Sequence, residues 1–127
     1  MTKHILIIDD DNDILEISRD ILVEAGYKVT IFNDIEDIQQ TIAACKPDLV
    51  ILDYLLQGIN GGEWCTQIKR NEQTRHIPVI LTSAHARVLL SLETYDCDAF
   101  LEKPFDINEL TGLADRYLKN NPVQEHA

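Results

Sequence analysis

Acidic side chains follow two of the apolar runs in this sequence, where residues that do chemistry often lie. Asp9 and Asp10 come directly after the run Ile5–Ile8, and Asp53 comes directly after Leu49–Leu52. An unbroken branched run of this length is typical of a strand buried on both faces of a parallel sheet. Open α/β sheets bind ligands at the carboxyl ends of such strands. We therefore expect the three carboxylates to share one pocket.

The chemistry that these residue types favour is phosphoryl transfer with a hard cation. Three carboxylates together repel one another unless a cation relieves them, and carboxylate, water and carbonyl oxygens suit Mg²⁺. A carboxylate such as that of Asp53 can attack phosphorus and form an acyl phosphate. Ser83 and Lys103 follow two later apolar runs. Their hydroxyl and ammonium groups can contact phosphoryl oxygens. No His or Cys lies near these strand ends to form a zinc site.

Composition narrows the class of protein. The chain has 127 residues, a length that predicts one domain. Its formal net charge of −11 repels phosphate backbones and anionic lipids, so we expect it to bind neither nucleic acid directly nor an anionic membrane. Its three cysteines are odd in number and far apart, so we expect reduced thiols in a cytoplasmic protein. No signal peptide or membrane-spanning run is evident. We expect a domain over residues 1–119 and a short tail over 120–127.

Five apolar strands alternate with five amphipathic helices along the chain. Asp11 or Asn12 is expected to cap the first helix, Asn33 or Asp34 the second, and Asp106 the last. The third and fourth helices are expected to end near Arg70 and to cover roughly 86–94. Such alternation predicts a single-domain α/β fold, a flavodoxin-like (βα)5 doubly wound parallel sheet with strand order 2-1-3-4-5.

The motifs at the strand ends resemble those of bacterial response-regulator receiver domains, the phosphoacceptor modules of two-component signalling. The resemblance spans residues 3 to 118 with every element in order. It is carried by four motifs: the acidic run Ile5–Asp11; Pro47–Asp53 followed by Leu56, Ile59, Asn60 and Gly61; Pro78–Ile80 with Ser83 and Ala84; and Phe100–Phe105. The four motifs at their proper spacing are far more specific than any one of them alone.

The resemblance implies that Asp53 accepts a phosphoryl group from a phosphohistidine on a sensor histidine kinase or a histidine phosphotransferase. The implied Mg²⁺ ligands are Asp9, Asp10, Asp53 and the main-chain carbonyl of Leu55. The implied partner of Asp53, and then of its phosphoryl group, is Lys103.

The resemblance also implies a conformational switch made of Ser83 and Phe100. Neighbouring Thr82 is an alternative to Ser83, since strand alternation lets only one of the two face the site. The face formed by the fourth helix, the fifth strand and the fifth helix is expected to be the output surface. A downstream protein would recognise that face, and a homodimer is possible. The Lys103–Pro104 bond is expected to be cis.

One other function remains open. An Mg²⁺-dependent phosphohydrolase with an aspartate nucleophile would need a second acid two residues after Asp53, where this chain has Leu55. As a receiver the chain would not be an enzyme beyond its own phosphorylation and dephosphorylation. It is either a stand-alone receiver or one excised from a larger regulator or a hybrid histidine kinase.

The sequence departs from the family pattern at three places: Gln57, Asp96 and a short stretch between Ser83 and Lys103.

Overall fold

The computed structural model describes residues 2–54, 60–84 and 96–119. Its centre is a five-stranded parallel sheet in the order β2-β1-β3-β4-β5. This arrangement confirms the predicted doubly wound α/β fold. The strands are β1 (His4–Ile8), β2 (Lys28–Phe32), β3 (Leu49–Asp53), β4 (Val79–Ser83) and β5 (Ala99–Glu102).

Four helices cover the sheet within the described residues. They are α1 (Asn12–Glu24), α2 (Ile38–Cys45), α3 (Gly61–Arg70) and α4 (Ile107–Leu118). The last of these corresponds to the fifth helix expected from the sequence. The fourth expected helix, over roughly 86–94, lies outside the described residues, as do the carbonyl of Leu55 and the tail. Among the described helices, none is long and apolar enough to cross a membrane.

Side-chain caps fix where the helices begin. Asp11 caps α1, and Asp106 caps α4 in a reciprocal capping box with Glu109, as predicted. The predicted start of α2 after Asn33 or Asp34 is wrong. There Asp37 is the cap, because its carboxylate accepts the backbone N–H groups of the first turn.

The sheet divides the core into two clusters by strand alternation. Ile7 and Ile51 belong to the cluster under α1 and α4, whereas Ile8 and Leu52 belong to the cluster under α2 and α3. Strands β1, β3 and β4 are buried throughout their lengths. Polar groups at their carboxyl ends are therefore held on a rigid platform.

One departure from the family pattern has a visible backbone consequence. Asp96, which precedes β5, adopts a left-handed conformation with φ of 61°. Glycine adopts this region without strain, and aspartate is among the few other residues that adopt it at modest cost. The chain thus makes the expected turn before β5 without a glycine.

Candidate functional site

Three carboxylates converge at the carboxyl ends of β1 and β3. One oxygen each of Asp9, Asp10 and Asp53 lies within 4.8 Å of the others. Asp9 and Asp53 are 3% and 5% exposed, whereas Asp10 is exposed to solvent. The pocket that was expected from the apolar runs is therefore formed, and it is open on the side of Asp10.

The carboxylate of Asp9 has partners on both oxygens. Its Oδ1 accepts the backbone N–H of Asp11 at 2.9 Å, and Asp11 in turn caps α1. Its Oδ2 accepts the ammonium of Lys103 at 2.7 Å. Asp9 is thus fixed by the start of the helix on one side and by the lysine on the other.

Lys103 enters the site from the loop after β5 and donates to two acids. Its Nζ lies 3.1 Å from Asp53 Oδ1 as well as 2.7 Å from Asp9 Oδ2. The Lys103–Pro104 peptide bond is cis, as expected, and the Lys103 N–H donates to the Ser83 carbonyl at 2.8 Å. Burial lowers the pKa of Lys103, but the hydrogen bonds and charges of Asp9 and Asp53 outweigh it and leave the pKa raised. The group is therefore an ammonium at neutral pH.

The charge of Asp53 is only partly compensated. Burial raises the pKa of Asp53 to about 6, and the charge of Asp9, with a smaller contribution from Asp10, adds to the rise. The ammonium of Lys103 opposes the rise only in part. Three carboxylates facing one ammonium leave an excess of negative charge and oxygen donors. That donor set fits a hard divalent cation such as Mg²⁺.

Two buried hydroxyls end β4 beside this cluster. Thr82 lies opposite Asp53 in the sheet register, and Ser83 lies opposite Glu102. Thr82 also lines a small cavity with Asp9 and Phe105. Both hydroxyl residues are nearly inaccessible to solvent, at 3% and 1%. The structure thus brings both candidate hydroxyls to the carboxyl edge of the sheet.

Phe100 lies on the face of the sheet that α2 and α3 cover. It is half-buried and packs against the core cluster under α2 and α3. It lies opposite Leu81 in the register of β4 and β5. Because alternate residues share a face, Ser83 and Phe100 lie on the same side of the sheet, one step apart along the strands.

Gly61 contributes to the site in a way that sequence reasoning did not identify. A Cβ built at Gly61 would lie 2.2 Å from the carbonyl oxygen of Asp53 and 3.2 Å from the Cα of Tyr54. The Gly61 N–H donates to the Tyr54 carbonyl at 2.9 Å. The start of α3 is thus pressed against the backbone of the buried acid. The sequence signals were the place of Gly61 in the motif after Asp53 and a pair of glycines directly after the cap Asn60, and neither predicted this contact.

An apolar cavity of about 390 Å³ adjoins the lysine. Its lining comes from one face of α1, from the residue after β4 and from the loop after β5: Ile14, Ile17, Ser18, Ala84, Lys103, Pro104 and Phe105. Nearby, Ile17 and Ile107 are 58% and 59% exposed. Exposed isoleucines beside a cavity make this an apolar surface next to Lys103.

Comparisons with known proteins agree with one another. A sequence model of the response regulator receiver domain matches residues 5–115. The DNA-binding dual master transcriptional regulator RpaA of Synechocystis is 35% identical over 108 residues, which are 84% of this chain and 45% of RpaA. The chain spans between a quarter and a half of the length of the first curated relatives that it matches.

Solved structures extend the likeness to three dimensions. A putative response regulator from Chloroflexus aurantiacus has a TM-score of 0.87 at 27% identity, covering 94% of this chain and all of that one. TrrA from Thermotoga maritima, solved in complex with Mg²⁺-BeF, has a TM-score of 0.83 at 28% identity, covering 92% of this chain and all of that one.

Proposed function

Since the chain belongs to the response regulator receiver family, we propose that it is a phosphorylation-dependent switch whose phosphoacceptor is Asp53. One observation carries the proposal. The carboxylate of Asp53 is buried at the end of the central strand, with one oxygen 3.1 Å from an ammonium and one within 4.8 Å of two further acids. A nucleophile held in this way is positioned before the reaction begins. Residues 1–119 would form the receiver domain, followed by a tail over 120–127.

The transfer uses groups that the site already holds. An oxygen of Asp53 attacks the phosphorus of a phosphohistidine, the new O–P bond forms, and the P–N bond breaks as the imidazole leaves. Lys103 keeps its proton and donates to the oxygen that gains charge. Asp9 holds the lysine in place through its 2.7 Å hydrogen bond. The product is an aspartyl phosphate with a charge of about −1.5 to −2.

Asp9, Asp10 and Asp53 are the side chains that would hold Mg²⁺, and the main-chain carbonyl of Leu55 is proposed as a further ligand. Bound there, Mg²⁺ would neutralise charge on the transferred group. Two observations support the assignment. The carboxylate oxygens lie within 4.8 Å of one another, and the similar TrrA was solved with Mg²⁺-BeF.

Ser83 and Phe100 would change position when Asp53 is phosphorylated and so transmit the phosphorylated state. We assign Ser83, rather than Thr82, to the new phosphoryl oxygen on the strength of the motif. The inward position of Phe100 would follow, because both side chains lie on one side of the sheet. These contacts bias an existing equilibrium between two arrangements of the face formed by β5, α4 and the helix expected between β4 and β5. A downstream protein, or a second copy of the chain, would bind one of the two arrangements.

The phosphohistidine partner would dock on the apolar surface around Ile17 and Pro104. This surface borders Lys103, so a sensor kinase or phosphotransferase seated there would bring its histidine to the pocket. Such partners place the protein in the cytoplasm.

The proposed function is tested with a small phosphodonor. Purified protein is incubated with Mg²⁺ and phosphoramidate, and its intact mass is measured. We expect the wild type to gain one phosphoryl group and Asp53→Asn to gain none. Asp13→Asn is the matched control, because Asp13 is an exposed acid in the first turn of α1. It should react like the wild type. An equal gain in Asp53→Asn would refute the assignment, and sustained hydrolysis of a phosphomonoester would favour the phosphohydrolase.

A further inference from the structure

Cys65 and Cys97 are far apart in the sequence but meet in the fold. Cys65 lies on α3 with no exposed surface, and Cys97, half-buried, packs against the same core cluster from the segment before β5. The two side chains are in hydrogen-bond contact and are thiols rather than a disulfide. A disulfide would require the two sulfur atoms to move from hydrogen-bond contact to the bonding distance of about 2.05 Å.

A second contact holds the same segment on the same helix. Lys69 lies one turn after Cys65 on α3, and its Nζ is 2.6 Å from Asp98 Oδ2. The same carboxylate oxygen accepts the backbone N–H of Val79 at 2.7 Å. The residues on either side of the thiol contact are therefore fixed, so the two sulfur atoms stay near each other.

The two thiols differ in character. The hydrogen bond with Cys97, together with burial, raises the pKa of Cys65. The same hydrogen bond, accepted by Cys97, lowers the pKa of Cys97, although burial and the charge of Asp98 oppose this. Cys97 is also the more accessible of the two. Cys97 is therefore the more reactive sulfur of the pair, and Cys65 lies behind it as the second thiol.

We propose that Cys65 and Cys97 are a redox pair, which a hydroperoxide converts to a reversible disulfide that ties α3 to the entry of β5. The thiolate of Cys97 attacks one peroxide oxygen, the O–O bond breaks, and a sulfenic acid forms with loss of hydroxide. The sulfur of Cys65 then attacks the sulfenic sulfur. An S–S bond forms as hydroxide leaves, and hydroxide takes up the proton of Cys65. With hydrogen peroxide, two thiols yield one disulfide and two waters.

The bond would restrain the strand that leads into the charged site. Strand β5 begins two residues after Cys97, carries Phe100 and ends beside Lys103. One consequence rests on the proposed function: if Phe100 is the switch residue, the disulfide would couple thiol oxidation to the face that includes β5. Formation of the disulfide itself does not depend on phosphorylation and is tested without it.

The test is peroxide treatment of the native, unphosphorylated protein. Intact mass, alkylation of the remaining thiols and unreduced peptide mapping follow the reaction. We expect the wild type to become lighter by two hydrogen atoms, to lose two alkylation sites and to show a peptide that joins Cys65 to Cys97. Dithiothreitol should restore the starting mass.

Variants separate this pair from ordinary thiol oxidation. Cys45→Ala is the matched control, because Cys45 is half-buried against the same cluster but has no role in the pair. It should form the disulfide like the wild type. Cys65→Ala should stop at a sulfenic acid on Cys97 that dimedone traps, and Cys97→Ala should leave Cys65 unmodified.

Three results would overturn the inference: no loss of two hydrogens in native Cys45→Ala, a mapped link that contains Cys45, or a Cys65–Cys97 link that forms only after unfolding in urea. The Cys45→Ala protein decides the question even if the core variant Cys65→Ala does not fold.

Discussion

Lys103 lies closer to Asp9 than to the proposed phosphoacceptor. Its ammonium is 2.7 Å from Asp9 Oδ2 and 3.1 Å from Asp53 Oδ1. The stronger bond goes to the acid that the first turn of α1 also fixes, which leaves Asp53 partly uncompensated. The negative charge of Asp53, the residue that would react, is therefore unfavourable in the folded protein, and the first three predictions concern that charge.

Replacing Asp53 by asparagine should stabilise the metal-free protein. A carboxyl pKa raised from about 3.9 in the unfolded chain to about 6 in the folded one costs stability as pH rises between these values. By linkage the cost reaches about 2–3 kcal/mol at pH 7. Asn keeps an oxygen that can accept from Lys103. We expect Asp53→Asn to be more stable than wild type at pH 7 in EDTA, and the difference to vanish near pH 4. Urea unfolding at both pH values measures it; a difference independent of pH would contradict it.

Mg²⁺ should stabilise the wild type through Asp10. A ligand that binds only the folded state at about ten times its dissociation constant adds about 1.4 kcal/mol. Asp10 is exposed, so Asp10→Asn should fold normally without Mg²⁺ yet lose most of this gain. Asp13→Asn, at an exposed acid outside the cluster, should keep it. Thermal unfolding with and without Mg²⁺ compares the three proteins. An equal Mg²⁺ effect in all three would exclude Asp10 as a ligand.

Removing the Lys103 charge should destabilise the fold. Lys103→Gln leaves two buried carboxylates without a cation, and breaking a buried ion pair costs about 3–5 kcal/mol. Lys119→Gln is the control, because the Lys119–Asp115 pair is exposed and should change stability by less than about 1 kcal/mol. Urea unfolding at pH 7 in EDTA gives both values. If the uncompensated charge of Asp53 causes most of the destabilisation in Lys103→Gln, the double variant with Asp53→Asn should regain part of the lost free energy of unfolding.

Local patterns predicted the strands and the converging acids, because an apolar run and the acid that ends it are neighbours in the sequence. The start of α2 was mistaken because several residues before it can cap a helix. Ile35, which precedes the helix, packs on the core. The side chain of Asp37 accepts hydrogen bonds from the first-turn N–H groups. The sequence alone does not show which of several candidate residues caps the helix.

Contacts between separate elements were beyond the reach of sequence patterns. The spacing of Cys65 and Cys97 gives no sign that they touch, and no local rule favours Asp9 over Asp53 as the nearer partner of Lys103. Both depend on where distant elements come to lie. The resemblance supplied the identity of the residues at the strand ends, and the fold supplied the distances among them.

The two hydroxyls at the end of β4 should differ in effect. If Ser83 contacts the phosphoryl group, Ser83→Ala removes one hydrogen bond, worth about 1.5–3 kcal/mol when made to a charged group, and slows phosphorylation by about tenfold to a hundredfold. Thr82→Val should stay within about twofold of wild type. Rates with phosphoramidate and Mg²⁺, measured by intact mass, compare the two. The reverse order would assign the role to Thr82, which lines the cavity next to Asp9.

A methyl group at Gly61 should disturb the site through the backbone. The added Cβ would lie 2.2 Å from the carbonyl oxygen of Asp53, and backbone atoms cannot yield as a flexible side chain does. We expect Gly61→Ala to destabilise the protein by about 1–3 kcal/mol and to slow phosphorylation. Gly112→Ala is the matched control, because a Cβ there meets nothing within 4 Å on α4 and should stabilise by about 0.5–1 kcal/mol. Urea unfolding and phosphorylation rates separate the two glycines. A Gly61→Ala protein as stable and as reactive as wild type would show that α3 can move away from Asp53 without cost.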